Sequence, residues 1–399
     1  MRQQTQRGAV SIFIVVFTAL LVTIVTTSFI QIMLRNQEQA SENDLSQSAY
    51  DSALAGVEDA KRALVKYKKC QNNASDCGAG ENAAGMRSKF DSGSCKTLEN
   101  VGAATFNANN EVMVGDSAEL NQAYTCVKVK LQTESLEGEL TGDLGTDLKK
   151  LQGEKSYDKI RIYWFNRSDL KQAADPSNPT TPPSAPVYET NPTELLAKNS
   201  WSPAQPSVLR VQSIQFKQGN LKLSDFNKED TQNAKTMFLY PTDTTVSPSL
   251  QFDVDKRRKN SNRNDLKLGS CGTNFNKKDY ACMATIDVAS LDLVDDEKRE
   301  AYLQLAALYN QKTSYMIELL KGDDEVVKFD GVQPRVDATG RASDIFRRVS
   351  AKVSLADGGQ PQPYPHAAMS VRNNFCKDFF VTNDEADYKS DTDTIACEP

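Results

Sequence analysis

The sequence predicts an α+β protein, in which a long N-terminal transmembrane and amphipathic helix packs on an antiparallel β-sheet domain with large insertions. Three observations support this fold class. An uncharged run extends from Ala9 to Leu34, a stripe of apolar residues with helical period follows it, and segments of alternating apolar and polar residues occur between residues 124 and 356. The 399 residues are enough for two or three compact units. The net charge of -6 gives no global reason to expect nucleic acid or an acidic membrane surface as a partner.

The N-terminal run is long enough for a membrane span. It exceeds the roughly 20 residues that a helix needs to cross a bilayer, and the roughly 7–15 apolar residues of a secretory signal peptide. No small-residue cleavage site follows it, because Gln31 to Leu34 stand there. Arg2 and Arg7 precede the run without an acidic residue, so the positive-inside rule predicts a cytoplasmic N-terminus and an external chain after Arg35.

The helix is predicted to continue beyond the membrane. From Arg35 to Lys69 the chain has one glycine, Gly56, and no proline. Apolar residues recur there every three or four positions, at Leu45, Ala49, Ala53, Val57, Ala60, Leu64 and Tyr67. We therefore predict one helix from Ala9 to Lys69, about 90 Å long. Its small-residue stripe suits docking against a sheet or other helices.

These N-terminal residues resemble a class III prepilin. The resemblance rests on the short basic leader ending in Gly8, the apolar helix that starts at once, and the amphipathic continuation, "QRGAVSIFIVVF" onwards. It implies cleavage between Gly8 and Ala9 by prepilin peptidase. The family's usual fifth-residue glutamate is replaced by Phe13, as in PilX-like and GspK-like minor pilins, so a minor or tip subunit is implied. The assembly surface implied comprises Phe13, Phe17, Leu20, Leu21, Ile24, Phe29 and Leu34.

The resemblance suggests a division of the chain. Residues 1–8 are the leader, 9–70 the assembly helix, 71–123 a disulfide-stapled loop region, 124–356 the β-rich pilin-like domain with a Pro-rich insertion at 171–206, and 357–399 a C-terminal disulfide-bounded region. The Pro-rich segment contains eight of the fifteen prolines and either separates two lobes or forms a surface insertion.

Alternation predicts seven strands in the β-rich region. They are Tyr124 to Leu131, Tyr157 to Phe165, Ser207 to Phe216, Thr236 to Tyr240, Tyr280 to Val288, Tyr302 to Tyr309 and Ser314 to Leu320. The last two are predicted to form a hairpin, since only Asn310 to Thr313 separate them. A second hairpin is predicted near the end, with Thr339 to Arg341 between its strands.

Eight cysteines follow the apolar run, and disulfides are the natural interpretation for a chain sent across a membrane. They are Cys70, Cys77, Cys95, Cys126, Cys271, Cys282, Cys376 and Cys397. Pairs such as Cys271 with Cys282 and Cys376 with Cys397 would close short loops, but eight cysteines allow 105 pairings. No zinc or other metal site is predicted, because C-x-x-C is absent and His366 is the sole histidine.

Candidate binding residues are few. A basic cluster, Lys256, Arg257, Arg258, Lys259 and Arg263, is either a solvated loop or a contact for DNA or another polyanion. The acidic stretches at 295–297 and 384–393 lack the spacing of a calcium-binding EF-hand. No hydrolase, metalloprotease or nucleotide-binding motif occurs. We therefore predict no catalytic residues, no enzyme activity and no cofactor.

The sequence thus supports two hypotheses of different classes. The first is a structural subunit of a type IV pilus or related filament, with a membrane stage before assembly and a later place on the cell surface. Its implied partners are other pilin subunits, prepilin peptidase, the inner-membrane assembly machinery and a host surface or DNA. The second is a single-span surface protein or adhesin that never polymerises.

Overall fold

The computed structural model describes residues 8–115, 121–141, 146–173, 201–202, 204–218, 234–242, 250–251, 253–254, 266–272, 275–288, 298–309 and 312–355. The chain is α+β, with a long N-terminal helix and extensive β-sheet. Its helices are α1 (Gly8–Asn72), α2 (Ala83–Asp91), α3 (Thr97–Asn100) and α4 (Arg167–Ala173), with a 3-10 turn at Ala74–Cys77. Its strands are β1 (Val112–Met113), β2 (Ala123–Thr133), β3 (Leu136–Thr141), β4 (Thr146–Gln152), β5 (Lys159–Asn166), β6 (Val208–Lys217), β7 (Ala234–Thr242), β8 (Leu250–Gln251), β9 (Asp253–Val254), β10 (Leu266–Cys271), β11 (Tyr280–Asp287), β12 (Arg299–Leu308), β13 (Lys312–Lys321), β14 (Glu325–Val327), β15 (Phe329–Ala342) and β16 (Ile345–Lys352).

Two compact units divide the chain. Unit 1 comprises Met1–Val129 and Val336–Ala351, and unit 2 comprises Lys130–Arg335 and Lys352–Pro399. Unit 1 therefore takes its residues from two distant parts of the sequence. The four-stranded sheet that includes its strands has the order β1-β2-β15-β16.

Helix α1 packs on strands of unit 1 through small residues. The predicted stripe is confirmed from Ala49 to Tyr67, where all of its members are buried, whereas Leu45 is half-buried. Gly340 of β15 permits the closest approach, because a Cβ there would lie 2.1 Å from the Ala49 carbonyl oxygen and 2.2 Å from the Ala53 nitrogen. Gly56 serves the same purpose on the helix, since its Cβ position lies 3.0 Å from Val127 Cγ2.

The predicted turn at Thr339 to Arg341 is wrong. These residues lie inside β15, and the chain reverses at Ser343 and Asp344 before β16. Gly340 is therefore a packing glycine and not a turn glycine. Ser343 has the left-handed backbone conformation that such a turn requires, with φ 50°.

The region after α1 contains helices where the sequence analysis predicts loop. Asn82 begins α2 by accepting a hydrogen bond from the Gly85 amide at 2.8 Å. Met86 and Phe90, one helical turn apart, are buried, and the Phe90 ring meets that of Tyr67 edge-on at 5.5 Å. This spacing was a helical signal, but the many Asn, Ala, Gly and Ser residues around it obscured it.

Unit 2 contains a twelve-stranded sheet. Its main order is β14-β13-β5-β11-β10-β7-β6-β12-β4, with β3 paired to β13, β8 to β11 and β9 to β7. Most pairs are antiparallel, as predicted, but β7 with β10 and β8 with β11 are parallel. All seven predicted strands are present, and residues of β5 such as Ile160, Ile162 and Trp164 face the core.

The predicted hairpin between Tyr302–Tyr309 and Ser314–Leu320 is wrong. Both segments are strands, but β12 pairs with β4 and β6, whereas β13 pairs with β3, β5 and β14. Strand β12 therefore has both edges occupied by strands distant in sequence. Strand β13 pairs with the distant strands β3 and β5 along most of its length, and only its last residues pair with the adjacent β14. A short connection makes pairing of its two flanking strands common but does not require it, because sheet partners are chosen by long-range packing.

Candidate membrane and assembly segment

The first half of α1 presents apolar side chains to the surroundings in every direction. From Ile14 to Leu34, every large apolar side chain is half or more exposed, up to 70% for Phe17. A helix that is apolar all round requires a nonpolar environment, either lipid or other helices. By length and composition, this helix can cross a membrane, and it is the one such candidate in the described part of the chain.

The polar residues in this segment satisfy their hydroxyls within the helix. Each of five Ser or Thr side chains donates a hydrogen bond of 2.7–2.8 Å to the carbonyl four residues earlier, as in Thr18 to Ile14 and Thr23 to Ala19. The other three are Thr26, Thr27 and Ser28. No hydroxyl among these five is therefore left without an acceptor in a nonpolar environment.

The predicted assembly residues lie on this helix. Those with described side chains are exposed: Phe17, Leu20, Leu21, Ile24, Phe29 and Leu34. The predicted processing position is at the start of the helix, where Gly8 is the first helical residue and Ala9 the second. Phe13 also has a helical backbone, and its side chain lies outside the described part of the structure. The leader residues before Gly8 lie outside the described residues as well.

Polar contacts hold the second half of α1 in unit 1. The Tyr124 hydroxyl of β2 donates to Asp59 Oδ2 at 2.8 Å, and Arg347 Nε of β16 donates to Ser46 Oγ at 2.7 Å. Burial raises the pKa of Tyr124, and the Asp59 carboxylate raises it further, so the phenol remains a donor at neutral pH. The same helix thus has an exposed apolar half and a half that is held by a folded unit.

Unit 1 also contains a bidentate ion pair. Arg341 donates to both carboxylate oxygens of Glu111, at 2.8 and 2.7 Å, and to the Ser343 carbonyl at 2.8 Å. Both side chains of the pair are largely buried. The hydrogen bond that Arg341 donates to Glu111 raises the pKa of Arg341, which stays charged. This contact holds the end of β15 and the chain before β1 together.

Three disulfides are present among the described residues, and they use six of the eight cysteines. They join Cys70 to Cys77, Cys95 to Cys126, and Cys271 to Cys282. Cys376 and Cys397 lie outside the described residues. The first bridge closes the C-terminal end of α1, and the second ties the segment before α3 to β2. Both therefore brace unit 1 near the helix.

The other predicted contacts do not fall on described residues. The basic cluster, Lys256 to Lys259 with Arg263, the acidic stretches at 295–297 and 384–393, and His366 all lie outside them. Within the described residues, no group of three His, Cys, Asp or Glu side chains has the arrangement of a metal site. The structure therefore adds nothing to the DNA or polyanion hypothesis.

Sequence reasoning missed two features of this chain. Gly340 was identified as a turn residue, although a glycine inside a strand is itself a signal of close backbone approach. Arg299, which no sequence pattern singles out, is a buried arginine at the start of β12. Its local sequence, "DEKRE", consists of charged residues only and carries no signal of burial.

Taken together, the described residues form an α+β chain with one N-terminal helix that can span a membrane, three disulfides and a large β-sheet. The chain was compared with known proteins on the level of sequence and of structure. No protein-family model, no curated protein and no solved structure matches it.

Proposed function

We propose that this chain is a minor or tip subunit of a type IV pilus or a related filament, and that it assembles through the exposed apolar half of α1. The proposal rests on one observation: a single helix is apolar and exposed over Ile14 to Leu34, and is then buried in a folded unit from Ala49 onwards. A simple membrane anchor needs no rigid connection to its folded part. A subunit that is withdrawn from lipid into a fibre needs both halves in one helix.

The proposed pathway has three stages. The chain first sits in the inner membrane with its N-terminus in the cytoplasm, where prepilin peptidase removes Met1 to Gly8. The assembly machinery then withdraws the helix from the lipid, and the apolar side chains exchange lipid contacts for contacts with helices of other pilin subunits. The transfer is between two nonpolar environments, so close packing and not burial from water has to drive it.

Phe13 supports a minor or tip position. A glutamate at this point in the apolar helix would be costly in lipid unless it found a partner. With Phe13, the chain has no carboxylate there to pair with the terminal amine of a neighbouring subunit. This subunit is therefore proposed to join the filament through apolar packing alone, at a position that does not need the pairing.

Replacement of Gly8 tests the proposal. Gly8→Leu puts a bulky side chain at the cleavage position, and we expect the leader to remain and the protein to disappear from sheared surface filaments. The matched control, Gln4→Leu, adds the same side chain within the leader, and its product should begin at Ala9. The masses of the N-terminal peptides and immunoblots of the sheared fraction provide the measurement.

Two results would count against a pilin. If the Gly8→Leu protein were present in the sheared fraction in the same amount as the wild type, cleavage of the leader would not be needed for its place in the filament. A wild-type protein that keeps Met1 and stays in the membrane fraction would favour the second hypothesis, a single-span surface protein that does not polymerise.

A further inference from the structure

Arg299 is a buried cation in the core of unit 2. It is the first residue of β12, on the same face of the strand as the core residues Ala301 and Leu303, and only 5% of it is exposed. Its Nη1 donates to Gln215 Oε1 at 2.6 Å, and its guanidinium carbon lies 5.9 Å from the centre of the Tyr157 ring. Within the part of the chain that the structure describes, no carboxylate lies within ion-pair distance of it.

Among the described residues, three buried hydrogen-bonding groups of Arg299 and its neighbours have no partner: Arg299 Nε, Gln215 Nε2 and the Tyr157 hydroxyl. The hydroxyl of Ser213, two residues before Gln215 on β6, has none either. Gln215 and Ser213 lie on one face of β6, and Ala301 and Leu303 of β12 stand opposite them. Because the Gln215 oxygen already accepts from Arg299, its amide nitrogen is left as a donor. Burial raises the pKa of Tyr157, so this hydroxyl keeps its proton and is a donor too.

The carboxylates near Arg299 that the structure describes are engaged elsewhere. Asp158 is exposed, and its Oδ2 accepts from the Gly322 amide at 3.0 Å. Glu300 forms an ion pair with Lys150 at 3.1 Å. Burial lowers the pKa of Arg299, and the charge of the Asp158 carboxylate offsets this in part, but an arginine remains protonated. A buried guanidinium without a counter-charge is costly, and so is each buried donor without an acceptor.

We infer that unit 2 binds a small monovalent anion, chloride, between Arg299, Gln215 and Tyr157. One anion supplies both missing elements, a single negative charge and an acceptor for several donors. A water molecule would satisfy donors but would leave the positive charge of Arg299 without a counter-charge among the described residues. The anion is small because the side chains around it are closely packed core residues.

Thermal unfolding of the full-length chain in detergent micelles tests this site. The two tryptophans of the chain, Trp164 and Trp201, both lie in unit 2, so their fluorescence reports its unfolding. Sodium chloride is exchanged for sodium gluconate at constant ionic strength, which keeps screening equal. We expect Tm to rise with chloride by about 3–5 °C for each tenfold increase above the dissociation constant, and bromide to act like chloride.

Two variants separate a specific site from a general salt effect. In Arg299→Met the charge is gone, and the dependence of Tm on chloride should be lost. Lys155→Met removes a surface cation of the same unit, one that pairs with the exposed Glu325, and should keep the full dependence. If Arg299→Met does not fold, NMR of chloride-35 provides the same information. The wild-type protein should broaden the chloride signal, and added bromide should reverse the broadening by competing for the site. A wild-type Tm that is equal in chloride and gluconate would overturn the inference, as would equal dependence in both variants.

Discussion

Gly340→Ala is expected to destabilise unit 1 by about 3 kcal/mol, at the upper end of the cost of overpacking. The added Cβ would lie about 2 Å from the Ala49 carbonyl oxygen and the Ala53 amide nitrogen. Both are backbone atoms of α1, which cannot move aside like the end of a flexible side chain. The helix must therefore shift away from β15, and the buried stripe around Ala49 and Ala53 loses its packing.

Amide hydrogen exchange of the full-length protein measures this effect. The amides between Ala49 and Tyr67 should exchange about 100-fold faster in Gly340→Ala than in the wild type. The unfolding transition of unit 2, followed by tryptophan fluorescence, should be unchanged. Gly85→Ala is the matched control, because its Cβ meets nothing closer than 3.4 Å and alanine favours helix α2. Equal exchange in Gly340→Ala and wild type would mean that α1 does not pack at this strand.

Trp164→Ala is expected to have the largest effect in unit 2. Trp164 is fully buried, its indole nitrogen donates to the Ser207 carbonyl at 3.1 Å, and its ring lies directly over Gly269. Truncation would leave a large cavity and an unpaired carbonyl, and such changes cost about 3–5 kcal/mol. Urea unfolding followed by far-ultraviolet circular dichroism measures the loss as a lower midpoint.

Val326→Ala is the control for that experiment. Val326 lies in β14 of the same unit and is 37% exposed, so its truncation should change the free energy of unfolding by less than about 0.5 kcal/mol. A midpoint for Trp164→Ala that equals the control would show that the core of unit 2 is not built around this indole. The packing of the Trp164 ring of β5 against Gly269 would then be contradicted.

Local pattern in the sequence predicts the elements of this fold well. Helix α1 extends over the predicted span because apolar residues of period 3.6 and the lack of proline depend only on neighbouring residues. The seven strands follow for the same reason, as in β2, where Val127, Val129 and Leu131 are buried and Lys128 and Lys130 are exposed. The apolar half of α1, which is the candidate assembly surface, is also evident from residue types alone.

Contacts between distant parts of the chain could not be predicted. Most partners of β12 and β13 come from strands up to about 180 residues earlier, and no local spacing specifies them. Likewise, the sequence around Gly340 predicts a turn, and only the structure shows that α1 lies against this glycine. The pairing of Cys95 with Cys126 depends on where α3 and β2 meet, and Arg299 is recognisable only once β6 and Tyr157 enclose it.

The proposed function makes the apolar half of α1 a packing surface between subunits, and a photocrosslinking residue at Ile24 tests this most directly. Ile24 is exposed near the middle of the apolar run, so a probe there should replace it without disturbing unit 1. In sheared surface filaments, we expect crosslinks from position 24 to helices of other pilin subunits, on a protein that begins at Ala9. Crosslinks to lipid alone, on a protein that retains Met1 and never leaves the membrane fraction, would contradict the account.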